Sequence, residues 1–239
     1  MKSRITLIVI IATITVILLG AGLINGKFFK VKTVDVVAEG ITEFEESQVK
    51  NIAKVTLGQS IFSVDKDKIV NSINASGTFH AEDVVILYPS TVKIIVEKRI
   101  PYAIIESDSG YILIDSDCNM IDIVQSTAKY DLPIFTGIRI SRYAFGESVE
   151  TKDPYQRSLI LAVIDSLYSN ATVDMISTVS LESQSSIYLI ASNGKRIDLN
   201  EAADIPAKLS HLALDELKNA IFSQENNTIT LYKNSFVIS

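Results

Sequence analysis

Residues 83–98 read DVVILYPSTVKIIVEK, two apolar segments separated by Tyr88-Pro89-Ser90. In the second segment alternate residues share one face of a strand, and Val92, Ile94 and Val96 fall on the same face. The proline and serine between the segments favour a turn. This stretch therefore predicts two strands, residues 83–88 and 91–98, joined by a short turn and buried on one side.

A first strand and two helices are predicted upstream of this pair. The alternation of apolar and polar residues around Val34 is typical of a strand. Thr42 with Glu45 three residues later is a capping-box pattern that begins a helix, and Asp65 can cap a second one. The predicted order over residues 31–98 is therefore strand, helix, helix, strand, strand.

Short strands dominate the prediction from residue 101 onward. Asn193-Gly194 is the strongest hairpin signal, and Asp153-Pro154 predicts a helix start, as does Pro206 further on. Residues 132–137 read as a connecting segment. The predicted strands are residues 102–105, 111–114, 121–124, 187–190, 195–199 and 228–238. The predicted fold class is α+β, with a mostly antiparallel sheet in this second part of the chain.

The N-terminal residues 5–24 contain no charged side chain. A helix of this length would span roughly 30 Å, the thickness of the bilayer's hydrocarbon core, so the run predicts a single transmembrane helix. A cleaved secretory signal is the alternative, since Lys2 and Arg4 make a basic start and Ala21 and Gly22 are small. Both interpretations predict that the rest of the chain is exported.

Composition excludes some classes of partner. The chain carries 22 Lys and Arg against 28 Asp and Glu, a net charge of −6 at pH 7. This acidic balance disfavours nucleic acid and anionic membrane surfaces, since both select clustered basic residues. The single Cys118 cannot form a disulfide within the chain, so stability must come from the core.

The residues that could carry catalysis or bind metal do not form a recognisable motif. His80 and His211 lack the spacing of a zinc site. Asp115 and Asp117 resemble the start of a calcium loop, but a hairpin turn explains them better because the later ligand positions are wrong. Cys118 is expected to have a raised thiol pKa beside these acids. The sequence predicts no catalytic residue, metal, cofactor or small-molecule substrate.

Three motifs of this chain resemble motifs of the FtsQ/DivIB family of bacterial cell-division proteins, and they follow one another in the family's order along the chain. Residues 58–65, GQSIFSVD, resemble the link between the two helices of the family's POTRA domain. Leu132-Pro133 with Gly137 is similar to an element of its second domain. The junction between the domains is similar at Ile94, Val96, Arg99, Pro101 and Ala103. Lys98 departs from the pattern, because the family usually has Glu there.

The resemblance implies a domain plan and a role. It implies a cytoplasmic head at residues 1–4, a transmembrane helix at 5–26, a POTRA domain (β-α-α-β-β) at 27–99 and a second α+β domain at 100–239. The implied function is a non-enzymatic, membrane-anchored scaffold of the division machinery at the septum. Its implied partners are FtsB/DivIC-like and FtsL-like proteins, bound on the extracytoplasmic side.

The last predicted strand is the candidate partner-binding site. Apolar and polar residues alternate in it, and at a sheet edge its unpaired backbone groups could accept a partner strand. The candidate residues are Ile229, Thr230, Leu231, Tyr232 and Phe236. The alternative is a strand fully paired within its own sheet.

Two other functions are weighed from the sequence. One is a POTRA-containing component of protein export or envelope assembly, although such proteins usually carry a membrane β-barrel. The other is an anchored extracytoplasmic hydrolase, which would require a pocket of convergent polar groups around His211 or Asp117.

Overall fold

The computed structural model describes residues 10–17, 20, 22, 28–183, 186–223 and 228–239. The chain divides into two compact units. The N-terminal unit comprises the residues up to Asn74 together with Phe79–Lys98, and the C-terminal unit comprises Ala75–Thr78 and Arg99–Ser239. The division at Lys98 lies one residue before the predicted boundary between residues 99 and 100.

The structure corrects the prediction of a transmembrane helix at residues 5–26. Among the described residues, no helix combines the length and the apolar character needed to cross a membrane. The longest described helical stretch here is residues 10–17, about 12 Å at 1.5 Å per residue, against roughly 30 Å of hydrocarbon. The rest of the predicted span, apart from residues 20 and 22, lies outside the described residues, as do residues 1–4.

The N-terminal unit has the predicted order of strand, helix, helix, strand, strand. Its strands and helices are β1 Thr33–Val37, α1 Glu43–Ala53, α2 Lys66–Asn74, β2 Phe79–Leu87 and β3 Thr91–Lys98. Within the described residues these strands form one sheet in the order β1-β3-β2. Strand β3 is central, parallel to β1 and antiparallel to β2.

The apolar alternation of residues 91–98 places β3 at the centre of this unit's core. Val92, Ile94 and Val96 are buried, as predicted, and pack with Val49 of α1 and Ile73 of α2. The residues between them on β3 point to the other face. A central strand that buries one face fixes its register, because a slip of one residue would expose this apolar row.

The helix start at Thr42 is the predicted capping box. The Glu45 N–H donates to the Thr42 hydroxyl at 3.3 Å, and the Glu45 carboxylate accepts from the Thr42 N–H at 2.9 Å. Lys98 places its ammonium 2.6 Å from the same carboxylate. The residue that departs from the family junction therefore ties the end of β3 to the start of α1.

The described residues of the C-terminal unit form β4 to β14 and three α-helices. Its helices are α3 Pro154–Ser169, α4 Ile205–Ser210 and α5 Asp215–Phe222. Its strands are β4 Ala103–Ser107, β5 Gly110–Ile114, β6 Met120–Val124, β7 Ile134–Thr136, β8 Ile140–Arg142, β9 Glu150–Thr151, β10 Ile176–Ser183, β11 Ser186–Ala191, β12 Arg196–Asn200, β13 Ile229–Leu231 and β14 Phe236–Ile238. Strands β8 and β9 pair with each other.

The large sheet is mixed and mostly antiparallel, as predicted, with three parallel pairs of described strands that the sequence did not indicate. Within the described residues its order is β14-β13-β12-β11-β10-β7-β4-β5-β6. The pairs β12–β13, β10–β7 and β4–β7 are parallel, and the other neighbours are antiparallel. The parallel pairs arise where a helix or a long connection separates the strands, which the hairpin signals in the sequence could not show.

Strand β7 lies in the segment predicted to be a connection, residues 132–137. It occupies the middle of the sheet, where Phe135 pairs with Val179 on one side and Ile105 on the other. Phe135 is fully buried. Three residues are too few to produce an alternating pattern, so this strand has no local signal in the sequence.

The C-terminal elements are more broken than predicted. The helix expected from Pro206 becomes α4, a 3₁₀ turn at His211–Ala213 and α5, because Leu214 has an extended backbone. The closing strand expected at residues 228–238 is interrupted at Tyr232, whose N–H donates to the Ser235 carbonyl at 2.8 Å. Two strands joined by a turn therefore end the chain, in place of one.

Candidate functional site

The candidate site is the hairpin formed by β13 and β14 at the edge of the large sheet. Strand β13 lies between β12 and β14, while β14 has no strand of the described residues on its outer side. We call this outer side the β14 edge and define it by Phe236, Val237 and Ile238. The free edge is therefore three residues long and close to the end of the sequence.

The hydrogen-bond pattern determines which backbone groups face outward. Thr228 and Ser239 exchange two backbone hydrogen bonds, of 2.6 and 3.0 Å. Bonded pairs alternate with non-bonded pairs in an antiparallel ladder, so Val237, opposite Thr230, is the next bonded residue. The N–H and C=O groups of Phe236 and Ile238 therefore point away from β13, toward the open side.

The side chains of the edge divide between the two faces of the sheet. On the helix-covered face, a row of fully buried residues crosses the sheet and ends at the β14 edge with Ile238, which is 36% exposed. The members of this buried row are Phe135, Val179, Leu189, Ile197 and Ile229. Val237 points to the opposite face and is 48% exposed. The edge thus presents apolar side chains on both faces beside its outward backbone groups.

Phe236 is the aromatic residue that anchors the edge to the core. It is partly buried against the main core, and its ring centroid lies 5.8 Å from that of His211 in an edge-on arrangement. Tyr232, at the hairpin turn, is 43% exposed. Of the two aromatics predicted to contact a partner, Tyr232 offers an exposed ring, and Phe236 mainly holds the strand in place.

A groove of about 650 Å³ opens beside the hairpin turn. The residues that line it carry polar side chains and are Asn200, Glu201, Asp204, Lys208, Tyr232, Lys233, Asn234 and Ser235. The Lys233 ammonium lies 3.1 Å from the Asp204 carboxylate across it. We call this feature the hairpin groove, and its polar lining suits an extended peptide rather than an apolar small molecule.

Lys208 fixes one wall of the hairpin groove. Its ammonium donates to the carbonyls of Leu199 and Glu201, both at 2.8 Å, and only 4% of the residue is exposed. Burial lowers the pKa of this amine, opposed by the nearby carboxylates of Glu201 and Asp204. Lys208 has no signal in the sequence, since a lysine two residues after a helix-starting proline is ordinarily a surface residue.

The predicted partner-binding residues occupy different positions in the hairpin. Ile229 and Thr230 of β13 pair with both β12 and β14, and Leu231 pairs with Phe236 of β14. Ile229 and Leu231 are also fully buried. The free backbone edge lies farther along, at Phe236 and Ile238. The polar residues Lys233 and Asn234 are the sequence signal for the intervening turn.

The junction residues form no surface site. Ile94 and Val96 are buried in the core of the N-terminal unit. In the C-terminal unit Ala103 is fully buried at the start of β4, and Pro101 is partly buried. The fifth, Arg99, makes an ion pair with Asp115, and about a tenth of each side chain is exposed. These contacts give the junction motif a structural role.

Asp115 organises the turn that resembles the start of a calcium loop. Its carboxylate accepts hydrogen bonds from the backbone N–H groups of Asp117 and Asn119, at 3.0 and 2.8 Å, as well as from Arg99. This is the predicted hairpin turn, held by its own aspartate. In the part of the chain that the structure describes, no cluster of three or more His, Cys, Asp or Glu residues is arranged to hold a metal.

The other residues considered for chemistry belong to different elements of the fold. His80 is exposed on β2 of the N-terminal unit, and His211 lies against Phe236 in the C-terminal unit. Cys118 is fully buried, and this burial raises the pKa of its thiol to about 11. The raised pKa was predicted, but the negative charge of Asp115 is only a minor cause.

Neither a scan against models of protein families nor a search of curated proteins finds a match for this chain.

Proposed function

We propose that this chain is a non-enzymatic scaffold of the bacterial cell-division machinery. In this role it binds FtsB/DivIC-like and FtsL-like proteins on the extracytoplasmic side and supports septum formation. The observation that carries the proposal is the β14 edge, whose outward N–H and C=O groups at Phe236 and Ile238 are suited to pairing with a partner strand. The resemblance to the FtsQ/DivIB family implies the same partners.

The proposed binding mode is strand addition. A partner segment would extend the sheet beyond β14 and place alternate side chains on its two faces. On one face these side chains would meet Val237, and on the other Ile238. Where the partner strand runs past the turn, its next residues would reach Tyr232 and the hairpin groove.

The test compares two substitutions at one position. Ile238→Pro removes an outward N–H that makes no bond to β13, and Val237 before it already has the extended backbone that proline requires. Ile238→Thr also removes the apolar side chain but keeps the N–H. Each variant is co-purified with the FtsB/DivIC and FtsL homologues of the same bacterium, and its affinity is measured by calorimetry.

We expect Ile238→Pro to weaken binding about five-fold more than Ile238→Thr, because one backbone hydrogen bond contributes about 1 kcal/mol net. Equal affinities of the two variants would contradict backbone pairing at this edge. Tyr232→Asp replaces the exposed ring by a charged group and is also expected to weaken binding relative to the unsubstituted chain. Circular dichroism of all three variants controls for loss of the fold.

A further inference from the structure

The N-terminal unit exposes a cluster of aromatic rings at the margin of its core, and of these rings Phe29 packs against that core. Phe28, Phe29, Phe62 and Tyr88 are in successive contact, with ring centroids 5.0, 5.2 and 5.6 Å apart. Phe28, Phe62 and Tyr88 are 53%, 52% and 60% exposed. We call these four residues the aromatic cluster. Contiguous exposed rings of this kind mark a surface that contacts something other than water.

Backbone hydrogen bonds hold the aromatic cluster in place. The Ile61 N–H donates to the Phe29 carbonyl at 2.9 Å, and the Val31 N–H donates to the Gln59 carbonyl at 2.9 Å. The Lys32 N–H donates to the Ser90 carbonyl at 2.8 Å. Three separate segments of the chain are thereby joined directly beneath the rings. The surface is part of the fold, and the rings need no rearrangement to contact a partner.

A second apolar surface precedes the cluster in the same unit. The helical residues 10–17 expose large apolar side chains: Ile10 49%, Ile11 56%, Ile14 50%, Val16 69% and Ile17 62%. They belong to the charge-free run of residues 5–24, which ends four residues before Phe28. Leaving such side chains in water costs roughly 1.5–3 kcal/mol each, so this run favours an apolar solvent.

The residues around the rings match the boundary between lipid headgroups and acyl chains. Aromatic residues are enriched at this level of a bilayer, and lysines beside them extend their ammonium groups into the headgroups. Lys32 is exposed and can extend in this way, whereas the Lys30 ammonium donates to the Gly58 carbonyl at 3.1 Å. The cluster itself is uncharged, which agrees with an acidic chain that has little attraction to anionic surfaces.

We propose that the aromatic cluster lies in the headgroup–acyl boundary of a lipid bilayer and orients the N-terminal unit on it. A lipid surface covers both the rings and the apolar residues that precede them, whereas a water-soluble partner docked on the rings would leave residues 10–17 in water. The interaction is mainly apolar, so zwitterionic lipid is sufficient. It does not depend on the proposed role in division.

The test places an environment-sensitive fluorophore on the full-length chain through Phe62→Cys. Phe44→Cys is the matched control, since Phe44 is also an exposed aromatic of the N-terminal unit, 72% exposed, but belongs to α1. Cys118 stays unchanged because it is buried, and the unsubstituted chain treated with the same reagent is the labelling blank. The protein is bound to phosphatidylcholine vesicles, with and without lipids brominated on the acyl chain.

We expect the label at residue 62 to shift to shorter wavelength on binding and to be quenched several-fold more by brominated lipid than the label at residue 44. Tyr88→Cys is expected to respond like Phe62→Cys, which keeps the test valid if one variant folds poorly. Equal, water-like responses at residues 62 and 44 on vesicles would overturn the proposal. Shielding at residue 62 without lipid, increasing with protein concentration, would also overturn it and identify a second copy of the chain as the occupant.

Discussion

Cys118 shows how burial can make a reactive side chain inert. Its thiol is fully buried in the main core, its backbone φ is +65°, and burial raises its pKa to about 11. At pH 8 only about one thiol in a thousand would be ionised, and the thiolate is the reactive form. A nucleophilic or redox role for this cysteine is therefore disfavoured, because its thiol is inaccessible to reagents and is hardly ionised.

We predict that Cys118 does not react with a thiol reagent in the folded chain at pH 8 and reacts fully after unfolding in guanidinium. The measurement is the absorbance of the released chromophore over time. Ser126→Cys, at an exposed position, is the positive control and is expected to react in the folded state. Fast reaction of Cys118 without denaturant would show that the core around it opens readily.

Arg99 and Asp115 form the least exposed ion pair found among the described residues. Removing one member leaves the other charge in a poorly hydrated place, and it also disturbs the turn that Asp115 organises. We predict that Arg99→Ala lowers the free energy of unfolding by about 3 kcal/mol, measured by urea denaturation. Arg142→Ala breaks the exposed pair with Glu147 and is the control, with an expected loss below about 1 kcal/mol. Similar losses for the two variants would contradict the structural role of the junction arginine.

At the scale of the element, the start of α1 depends on one carboxylate. Hydrogen bonding to Lys98, followed by bonds from the backbone and side chain of Thr42, lowers the pKa of Glu45 from 4.5 to about 2. A carboxylate with a lower pKa in the folded state stabilises the fold above its unfolded pKa and loses that contribution as the pH falls. The window for this loss therefore runs from about pH 4.5 down to about pH 2.

We predict that Glu45→Gln increases hydrogen exchange of the α1 amides at pH 6, and that its difference from the unsubstituted chain shrinks below pH 4.5. Lys98→Met is expected to have a smaller effect in the same direction, because the Thr42 bonds remain. Glu43→Gln removes a charge from the same turn but keeps the contacts of Glu45, so it is the control. A difference that persists at pH 2 would contradict the electrostatic origin.

The elements that the sequence predicted well are those with a local signal. The Thr42–Glu45 capping box, the Asp153-Pro154 helix start and the Asn193-Gly194 hairpin are all found in the structure. Strand β7 was missed because its position depends on long-range pairing with β10 and β4, which three residues cannot encode locally. The break at Tyr232 was missed because apolar residues continue on both sides of the turn.

At the scale of the whole molecule, the residues predicted to bind a partner are divided between two strands: Ile229, Thr230 and Leu231 lie in β13, and Phe236 lies in the edge strand β14. The sequence indicated an edge near the end of the chain and could not tell which of the two short strands would be outermost, because register and strand order depend on the rest of the sheet. Lys208 and Asp204 line the hairpin groove because the fold places them beside the turn, and this proximity has no local signal in the sequence. The prediction of a transmembrane helix was wrong. An apolar composition indicates that a segment favours lipid, but it does not determine how long a helix the segment forms.

The proposed role predicts where the whole protein should be found. A fluorescent fusion is expected to form a band at mid-cell in dividing cells, because the proposed partners act at the septum. Ile238→Pro in the same fusion is expected to weaken that band while leaving the amount of protein unchanged on an immunoblot. Uniform envelope staining of the unsubstituted fusion would contradict a division role and favour envelope assembly.

The shortness of β14 has a consequence for how the protein behaves at high concentration. Three residues span only about 10 Å, whereas fibril-forming segments are typically about six or seven residues long. The charged Lys233 lies just before this strand, and charges beside an edge hinder stacking of identical chains. The same brevity that limits pairing with a partner strand therefore makes β14 a poor template for amyloid-like stacking of identical chains.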